Sequence, residues 1–212
     1  MSSSQQKSSY HHGNLRQELL DASLRLIAEE GVGAVSLRRV AREAGVSPGA
    51  PYHHFADRAA LLAALSTTGF NKLAERLCAA REGSDEPQDA LLAMLDAYVE
   101  FAAGNRAHFQ LMFRPELSLP DKHPDVHAAG DAAFKELTEP LEAWQREGLL
   151  PAADLTGLVM TLWALGHGIA SLWIDGHLEK RCTEMNSTPD ELLRQVRATV
   201  ADLIGRWSPP SG

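Results

Sequence analysis

The sequence predicts an all-α protein with about nine helices, arranged as a three-helix bundle at the N-terminal end and a larger helical part after it. Apolar residues recur at intervals of three and four through most of the chain, which is the period of an amphipathic helix. No segment shows the strict alternation typical of a half-buried strand, and no internal repeat is present. Hydrophobic residues make up 44% of the 212 positions, so the chain can build a substantial core.

The first predicted helix covers about residues 14–30. Asn14 is expected to cap it, and Gly31 is expected to end it. Residues 1–13 are rich in Ser and Gln and show no periodicity, so we expect them to form a disordered arm.

Two short helices joined by a tight turn are predicted between residues 36 and 54. The first stops at Gly45, a residue that tolerates the positive φ found where helices end. Ser47 is expected to cap the second, with Pro48 in its first turn, where a missing N–H costs nothing. The apolar face of the first helix consists of Leu37, Val40, Ala41 and Ala44.

The second short helix would expose small and hydrogen-bonding side chains. They are Gly49, Ala50, Tyr52, His53 and His54. This arrangement is the helix-turn-helix design, whose second helix fits the major groove of DNA. Pro51 lacks the N–H that would bond the Ser47 carbonyl and disfavours helical geometry at Ala50. We therefore expect the second helix to start late or to be tightened.

Six further helices are predicted, at about 58–81, 88–103, 108–113, 127–147, 154–174 and 189–207. Asp57 is expected to cap the first of them, Pro87 to lie in the first turn of the second, and Pro140 to kink the fourth. Residues 114–126 are expected to form a loop and 175–188 a polar connection. The predicted organisation is a disordered arm over 1–13, a helix-turn-helix domain over 14–57, a helical domain over 58–207 and a tail over 208–212.

Charge is distributed unevenly along the chain. The net charge of −8 argues against general affinity for nucleic acid. Residues 1–58 carry seven basic and six acidic side chains, whereas residues 59–212 carry thirteen and twenty-two. We call residues 1–58 the head and residues 59–212 the body. A near-neutral head joined to an acidic body is consistent with site-specific DNA binding. Two cysteines and a polar N-terminus without an apolar run favour the cytoplasm over secretion.

The segment between Asp154 and Asp175 contains no charged residue and is long enough to cross a membrane. No basic cluster flanks it, and glycines and polar residues interrupt it. We expect a helix that is buried on most sides, and no membrane partner.

Residues 14–65 resemble the tetracycline-repressor (TetR/AcrR) family of bacterial regulators. The resemblance lies in NLRQELLDASLRLIAEEGVGAVSLRRVAREAGVS and YHHFADRAALLAAL. It implies a homodimer. Three small residues, Gly166, Gly168 and Ala170, would let a partner helix approach closely, which fits an interface formed by the eighth and ninth predicted helices, at 154–174 and 189–207. Each head would read half of a double-stranded DNA operator, and a small molecule bound in the body would relieve repression. An activator, or a regulator without a ligand, is the alternative within DNA binding.

The same resemblance implies DNA contacts at specific positions. These are Arg38, Ser47, Gly49, Ala50, Tyr52, His53 and Arg58, the last at a position where the family usually has Lys. Arg58 is expected to hold a phosphate at the start of a helix. A second, weaker resemblance, in WALGHGIASLWIDG at residues 163–176, is to a C-terminal domain type named for its Trp, His and Gly.

Aromatic and polarisable residues in the body are candidates for a ligand pocket, although such residues at helical spacing also form ordinary cores. The candidates are His108, Phe109, Met112, Phe113, Trp144, Trp163 and His167. No charged residue stands in the predicted helix at 108–113 or in the middle of that at 154–174, which favours an apolar or weakly polar ligand.

No combination of residues predicts an enzyme, because we find no nucleophile with a base, paired carboxylates or phosphate loop. His123 and His127 have metal-ligand spacing, but Pro124 disfavours one helix through both, so we expect a solvated loop. A small metalloenzyme using His108, His167 and His177 is the remaining catalytic alternative. We expect no metal and no cofactor.

Overall fold

The computed structural model describes residues 5–206 except 85, 118, 151 and 153, and only the backbone of 5–14. Within this part of the chain there are nine α-helices and no strand, which confirms the all-α prediction. The helices are α1 (Gln5–Glu30), α2 (Leu37–Glu43), α3 (Arg58–Glu82), α4 (Pro87–Gly104), α5 (Arg106–Met112), α6 (Pro124–Arg146), α7 (Thr156–Ile174), α8 (His177–Glu184) and α9 (Pro189–Arg206). Three short 3₁₀ turns lie between them, at Val32–Ala34, Ala50–His53 and Pro115–Leu117.

Helix α1 starts earlier than predicted. Its backbone is helical from Gln5, so the expected start at Asn14 is wrong, and residues 5–13 of the predicted arm form helix. Once a helix has formed, each added residue contributes one more hydrogen bond, and Gln and Lys are good helix formers. Residues 1–4 and 207–212, with part of the predicted arm and all of the predicted tail, lie outside the described residues.

Helix α8 was not predicted. The segment 175–188 was expected to be a polar connection, but residues His177–Glu184 are helical. Leu178 and Cys182 are buried and lie four residues apart, so they form one apolar stripe, and Gly176 enters the helix with φ of 72°. The two apolar residues are too few to stand out as a period in the sequence.

The chain forms two compact units, one of residues 1–69 and 106–128 and the other of residues 70–105 and 129–212. The boundary at residues 69 and 70 falls inside α3. The core of the first unit is built by α1, α2, α3, α5 and the turns between them. Its buried residues include Leu19, Ile27, Val35, Val40, Leu61, Leu65, Leu111 and Leu117. The predicted domain boundary at residue 58 stays a prediction.

The second unit has its own core, formed by α4, α6, α7 and α9. Its buried residues are Leu91, Leu92, Leu141, Leu150, Val159, Val200 and Ile204. Helix α6 continues through Pro140, and its first residue is Pro124, which confirms that no helix spans both His123 and His127.

Helix α7 is less buried than predicted. By its length and composition the helix could cross a membrane, yet only 33% of its apolar stretch is buried. The expectation of burial on most sides is therefore wrong for this chain by itself. Met160 and Leu172 are among the exposed apolar side chains, at 45% and 48% exposure.

Candidate functional site

Local capping signals define α2 and the turn that follows it. The Ser36 hydroxyl accepts a hydrogen bond from the Arg39 N–H at 3.3 Å, which is an N-cap. Gly45 ends the helix with φ of 70°, and the Val46 N–H reaches back to the Ala41 carbonyl at 2.9 Å. This closure fixes the direction in which the chain leaves α2.

The second helix of the predicted pair is a 3₁₀ turn, Ala50–His53, rather than an α-helix. Since Pro51 has no N–H, the Ser47 carbonyl accepts a hydrogen bond from the Ala50 N–H instead, at 3.0 Å. The prediction of a tightened helix is confirmed. The N-cap of the turn is Gly49, without a side-chain cap hydrogen bond, so the capping role predicted for Ser47 is wrong. The chain becomes α-helical again at Arg58, after Asp57 caps α3 by accepting from the Ala60 N–H at 2.8 Å.

The short turn has a buried and an exposed side. Pro51 and Phe55 are buried, and Phe55 belongs to the core of the first unit. We call the exposed side the reading face; it consists of Ser47, Gly49, Tyr52 and His53. Tyr52 is 53% exposed although it is a large aromatic residue, and Ala50 is half-buried beside it. An exposed aromatic ring flanked by small residues is suited to contact with another molecule.

The arginines of α2 differ in their surroundings. Arg39 forms a two-pronged ion pair with Glu30, one contact being Nη1 to Oε2 at 2.9 Å, and hydrogen bonding to Arg39 lowers the pKa of the Glu30 carboxyl. Arg38 and Arg42 are exposed and lie one helical turn apart. The sequence analysis missed Arg42 as a candidate contact, although its spacing of four residues from Arg38 places both on one side of the helix.

Two other arginines hold parts of the helix-turn-helix together. Arg58 donates from Nε to the Val35 carbonyl and from Nη2 to the Val32 carbonyl, both at 2.8 Å. The Arg16 guanidinium lies 5.4 Å from the centroid of the Phe55 ring, within the range of a cation–π contact. The predicted phosphate contact of Arg58 stays a prediction, and its side chain is oriented toward the protein backbone.

Four of the candidate ligand residues lie in or beside α5 in the first unit. His108, Phe109 and Met112 are almost fully buried, and Phe109 stacks at a tilt on Phe113 with 5.2 Å between ring centroids. Helix α5 crosses α3 closely at Gly69. A Cβ added at Gly69 would lie 2.6 Å from the Met112 sulfur and 3.2 Å from the His108 Cβ. These residues therefore fill a tight helix crossing.

The other three candidates lie in the second unit. Trp163 stacks on His167 with ring centroids 5.9 Å apart, and the Tyr98 hydroxyl lies 3.0 Å from the His167 Nδ1. Phe134 approaches Trp163 edge-on at 6.1 Å. We call Tyr98, Phe134, Trp163 and His167 the aromatic cluster. Trp144 is partly buried against the core of this unit.

Burial controls the ionisation of the aromatic cluster. It raises the pKa of the Tyr98 hydroxyl well above its ordinary value, and a hydrogen bond with Trp163 offsets part of the rise. Burial also lowers the pKa of His167. An indole N–H can only donate, so the Tyr98 oxygen accepts the hydrogen bond from Trp163. The Tyr98 hydroxyl also shares a hydrogen bond with the His167 Nδ1, whose direction depends on the tautomer of the imidazole.

A shallow groove in the second unit contains none of the predicted ligand residues. It has a volume of about 40 Å³ and is bounded by α4, α7 and α9. Its lining residues are Leu95, Asp96, Val99, Glu100, Ile169, Leu193 and Val196. Ligand pockets usually measure about 300–1,000 Å³, so this groove is too small to be one. The ligand site stays a prediction.

The histidines considered as metal ligands do not form a cluster. His108 belongs to the first unit, whereas His167 and His177 belong to the second. Within the described ranges, no group of three or more His, Cys, Asp or Glu side chains could hold a metal ion.

Both parts of the chain match known families. Residues 19–65 match the family described as bacterial regulatory proteins, tetR family, and residues 91–200 match the tetracyclin repressor-like C-terminal domain. The second match covers half of the chain and includes Trp163, His167 and Gly168. The chain therefore belongs to the tetR family of bacterial regulators, which confirms the resemblance predicted from residues 14–65, while the resemblance of residues 163–176 to the C-terminal type named for Trp, His and Gly stays a prediction.

Individual relatives agree with this assignment. The HTH-type transcriptional regulator BetI of Rhizobium meliloti is 35% identical over 80 residues, which is 38% of this chain and 39% of BetI. The match thus spans about two fifths of that relative. A Rhodococcus sp. RHA1 protein of unknown function is 34% identical, with a TM-score of 0.78 over 91% of this chain and 96% of that one. The Bacillus subtilis regulator FadR, solved with stearoyl-CoA, is 16% identical and has a TM-score of 0.69 over 87% and 97% of the two chains, which shows a shared fold.

Proposed function

We propose that the protein is a sequence-specific, DNA-binding transcriptional regulator. The observation that carries this proposal is the reading face, where Tyr52 is 53% exposed on a turn whose other side is anchored in the core by Pro51 and Phe55. Family membership supports this proposal. A regulator of this kind needs no catalytic residues, so we assign none. A cytoplasmic location follows from this function.

The proposed DNA contacts divide into two groups. Tyr52, His53 and Ser47 can bond base edges or phosphates, while Gly49 and Ala50 allow the backbone to approach the groove. The exposed Arg38 and Arg42 provide charge for phosphates. Arg39, by contrast, is held by its ion pair with Glu30, so we assign it a structural role and not a DNA contact.

Selection from a pool of random double-stranded DNA tests this function without knowledge of the operator. We expect the full-length protein to enrich one pseudo-palindromic duplex, whose half-sites are about one helical turn, or 34–36 Å, apart. Failure to enrich any sequence would contradict the proposal. The enriched duplex, called here the selected duplex, then serves as the probe for all binding measurements.

We propose that the protein is a homodimer formed through the exposed faces of α7 and α9. Support comes from the apolar side chains exposed there, Met160 and Leu172 on α7 and Leu203 on α9, at 45%, 48% and 57% exposure. Exposed apolar residues of this size on neighbouring helices are typical of a homodimer interface.

The glycines of α7 refine this interface. Leu95 and Tyr98 of α4 would lie 3.4 and 3.6 Å from a Cβ at Gly166, so Gly166 serves packing within the chain. A Cβ at Gly168 would meet nothing within 4 Å, which leaves space for a partner helix. Ala170 is completely buried. Of the three small residues predicted to admit the partner, Gly168 alone has open space beside it.

We propose further that the protein is a repressor and that a small molecule relieves repression. Two heads can bind adjacent half-sites only at one separation, so a ligand that favours another separation releases the DNA. A reporter whose promoter overlaps the selected duplex tests the sign. Expression should fall when the protein is present, whereas a rise would establish an activator.

The aromatic cluster is the proposed ligand contact. Its side chains are uncharged at neutral pH and include one imidazole N–H, which suits an apolar ligand with a single polar group. Thermal-shift measurements on a panel of uncharged aromatic and aliphatic compounds, with stearoyl-CoA as a charged reference, test this proposal. A compound that stabilises the wild type but not the His167→Ala variant would support it, and equal stabilisation of both would contradict it.

A further inference from the structure

We infer that Arg58 is a positioning residue, whose guanidinium joins the two ends of the helix-turn-helix and thereby fixes the reading face. For its effect on DNA binding, the inference rests on the proposed function. The contact itself rests only on the geometry of the first unit.

The geometry of the contact is specific to arginine. Nε and Nη2 donate to the carbonyls of Val35 and Val32 at 2.8 Å each. These two nitrogens lie along one edge of a rigid planar group, so they can satisfy two neighbouring carbonyls in only one orientation. A lysine ammonium carries the same charge but has no such edge.

The position of the contact in the chain gives it a role. Val35 directly precedes Ser36, the cap of α2, and Arg58 is the first residue of α3. The hydrogen bonds of Arg58 therefore join the two ends of residues 36–57, a segment that contains α2 and the whole reading face. The apolar contacts inside the segment are non-directional, whereas the two hydrogen bonds fix the angle and the distance between its ends.

A nearby anion does not divert the guanidinium from this role. Glu116 carries a lowered pKa because of hydrogen bonds from its own backbone N–H and from Arg114, and Arg58 makes a smaller electrostatic contribution. The Nε and Nη2 edge of Arg58 nevertheless faces the two carbonyls. A DNA phosphate could take this edge only if both hydrogen bonds broke.

Two substitutions separate this role from the phosphate contact that the family resemblance implies. Arg58→Lys keeps the charge and removes the planar edge. If Arg58 positions the segment, this variant binds the selected duplex at least 10-fold more weakly than the wild type, while its binding to a random duplex and its salt dependence are unchanged. Arg58→Gln should likewise keep the wild-type salt slope.

A phosphate contact gives the opposite pattern. Arg58→Lys would then bind within about threefold of the wild type, and Arg58→Gln would reduce the salt slope by about one. Either result would overturn the inference. Arg38→Gln is the matched control, because its exposed side chain is a proposed phosphate contact and its loss should make the slope shallower. Circular dichroism verifies that each variant is folded.

A measurement on the wild type decides the question even if the variants do not fold. Although both residues are exposed, the Arg58 Nε proton should exchange with water at least 10-fold more slowly than that of Arg38, because the Val35 carbonyl holds it, and its NMR signal should stay in place when the selected duplex is added. Fast exchange, or a large shift on adding DNA, would overturn the inference. If the wild type enriches no duplex, the proposed function fails, while the exchange rate of the free protein still tests the contact.

Discussion

The reading face and the exposed faces of α7 and α9 differ in how they are built. The reading face exposes small and polar side chains and one aromatic ring, on a turn held by capping hydrogen bonds and by Arg58. The other two faces expose long apolar side chains on regular helices. Contact with DNA needs hydrogen-bonding groups at fixed positions, whereas association between protein chains needs apolar surface that becomes buried away from water.

The largest effect is expected from a variant that disrupts the exposed apolar faces of α7 and α9. Replacing both Leu172 and Leu203 by Glu buries two carboxylates in the proposed interface, so we expect the dimer to dissociate and its dissociation constant to rise by roughly 1,000-fold, about 4 kcal/mol. Sedimentation velocity measures the assembly. Met185→Glu, at a side chain that is 65% exposed outside α7 and α9, should remain dimeric. A double variant that sediments as a dimer would refute this interface.

The next effect concerns the reading face. Tyr52→Ala should weaken binding to the selected duplex by roughly 100-fold, about 2–3 kcal/mol, because it removes both the exposed ring and a hydroxyl. Gel shift measures the affinity, and a sizing column should show an intact dimer. Tyr52→Phe is the matched control for the hydroxyl alone and should lose less. Wild-type affinity in Tyr52→Ala would remove this residue from the site.

A third prediction tests how closely α3 and α5 must pack in the first unit, which also carries the reading face. Gly69→Ala places a Cβ 3.2 Å from the His108 Cβ and against Met112, so it should lower the free energy of unfolding by about 1–3 kcal/mol. Gly157→Ala on α7 meets nothing within 4 Å and should change it by less than about 0.5 kcal/mol. Thermal unfolding compares the two variants. Equal stability would show that α3 and α5 can move apart at no cost.

The smallest expected effect concerns acid stability in the second unit. Burial lowers the pKa of His167 below the ordinary histidine value of 6.5, so the unfolded chain takes up the proton first. Above pH 6.5 the stability is unaffected, and as pH falls through 6.5 toward the folded-state pKa it should decrease. Urea unfolding between pH 5 and 8 measures this, and His167→Asn, which cannot titrate, should show a flatter profile. An identical slope in both proteins would exclude His167 as the cause.

Helix boundaries that depend on neighbouring residues could be predicted from the sequence. Gly31 and Gly45 have the positive φ expected where a helix ends, and Asp57 caps α3. Each of these signals acts within about four residues of backbone. The effect of Pro51 was equally local, since one missing N–H changed an α-helical turn into a 3₁₀ turn.

Contacts between distant residues could not be predicted in the same way. The sequence identified seven aromatic and polarisable residues as candidates for a ligand pocket, and it did not show that four of them belong to the first unit and three to the second. Gly166 and Gly168 look alike in the sequence. Side chains of α4 fill the space beside Gly166, whereas the space beside Gly168 is open. Helical spacing identifies a face, but it does not say which helix covers that face.

The amino-acid sequence alone determined the all-α fold, the family and the exposure of Gly49, Tyr52 and His53, because periodicity, caps and turn residues act locally, whereas Ala50 and His54, also predicted to be exposed, are half-buried. The tertiary structure decided the surroundings of Arg58. Its position predicts a phosphate ligand, yet its hydrogen bonds run to carbonyls 23 and 26 residues earlier in the chain. A side chain with five donors takes the acceptors that folding brings within reach, and no local pattern encodes which acceptors those are.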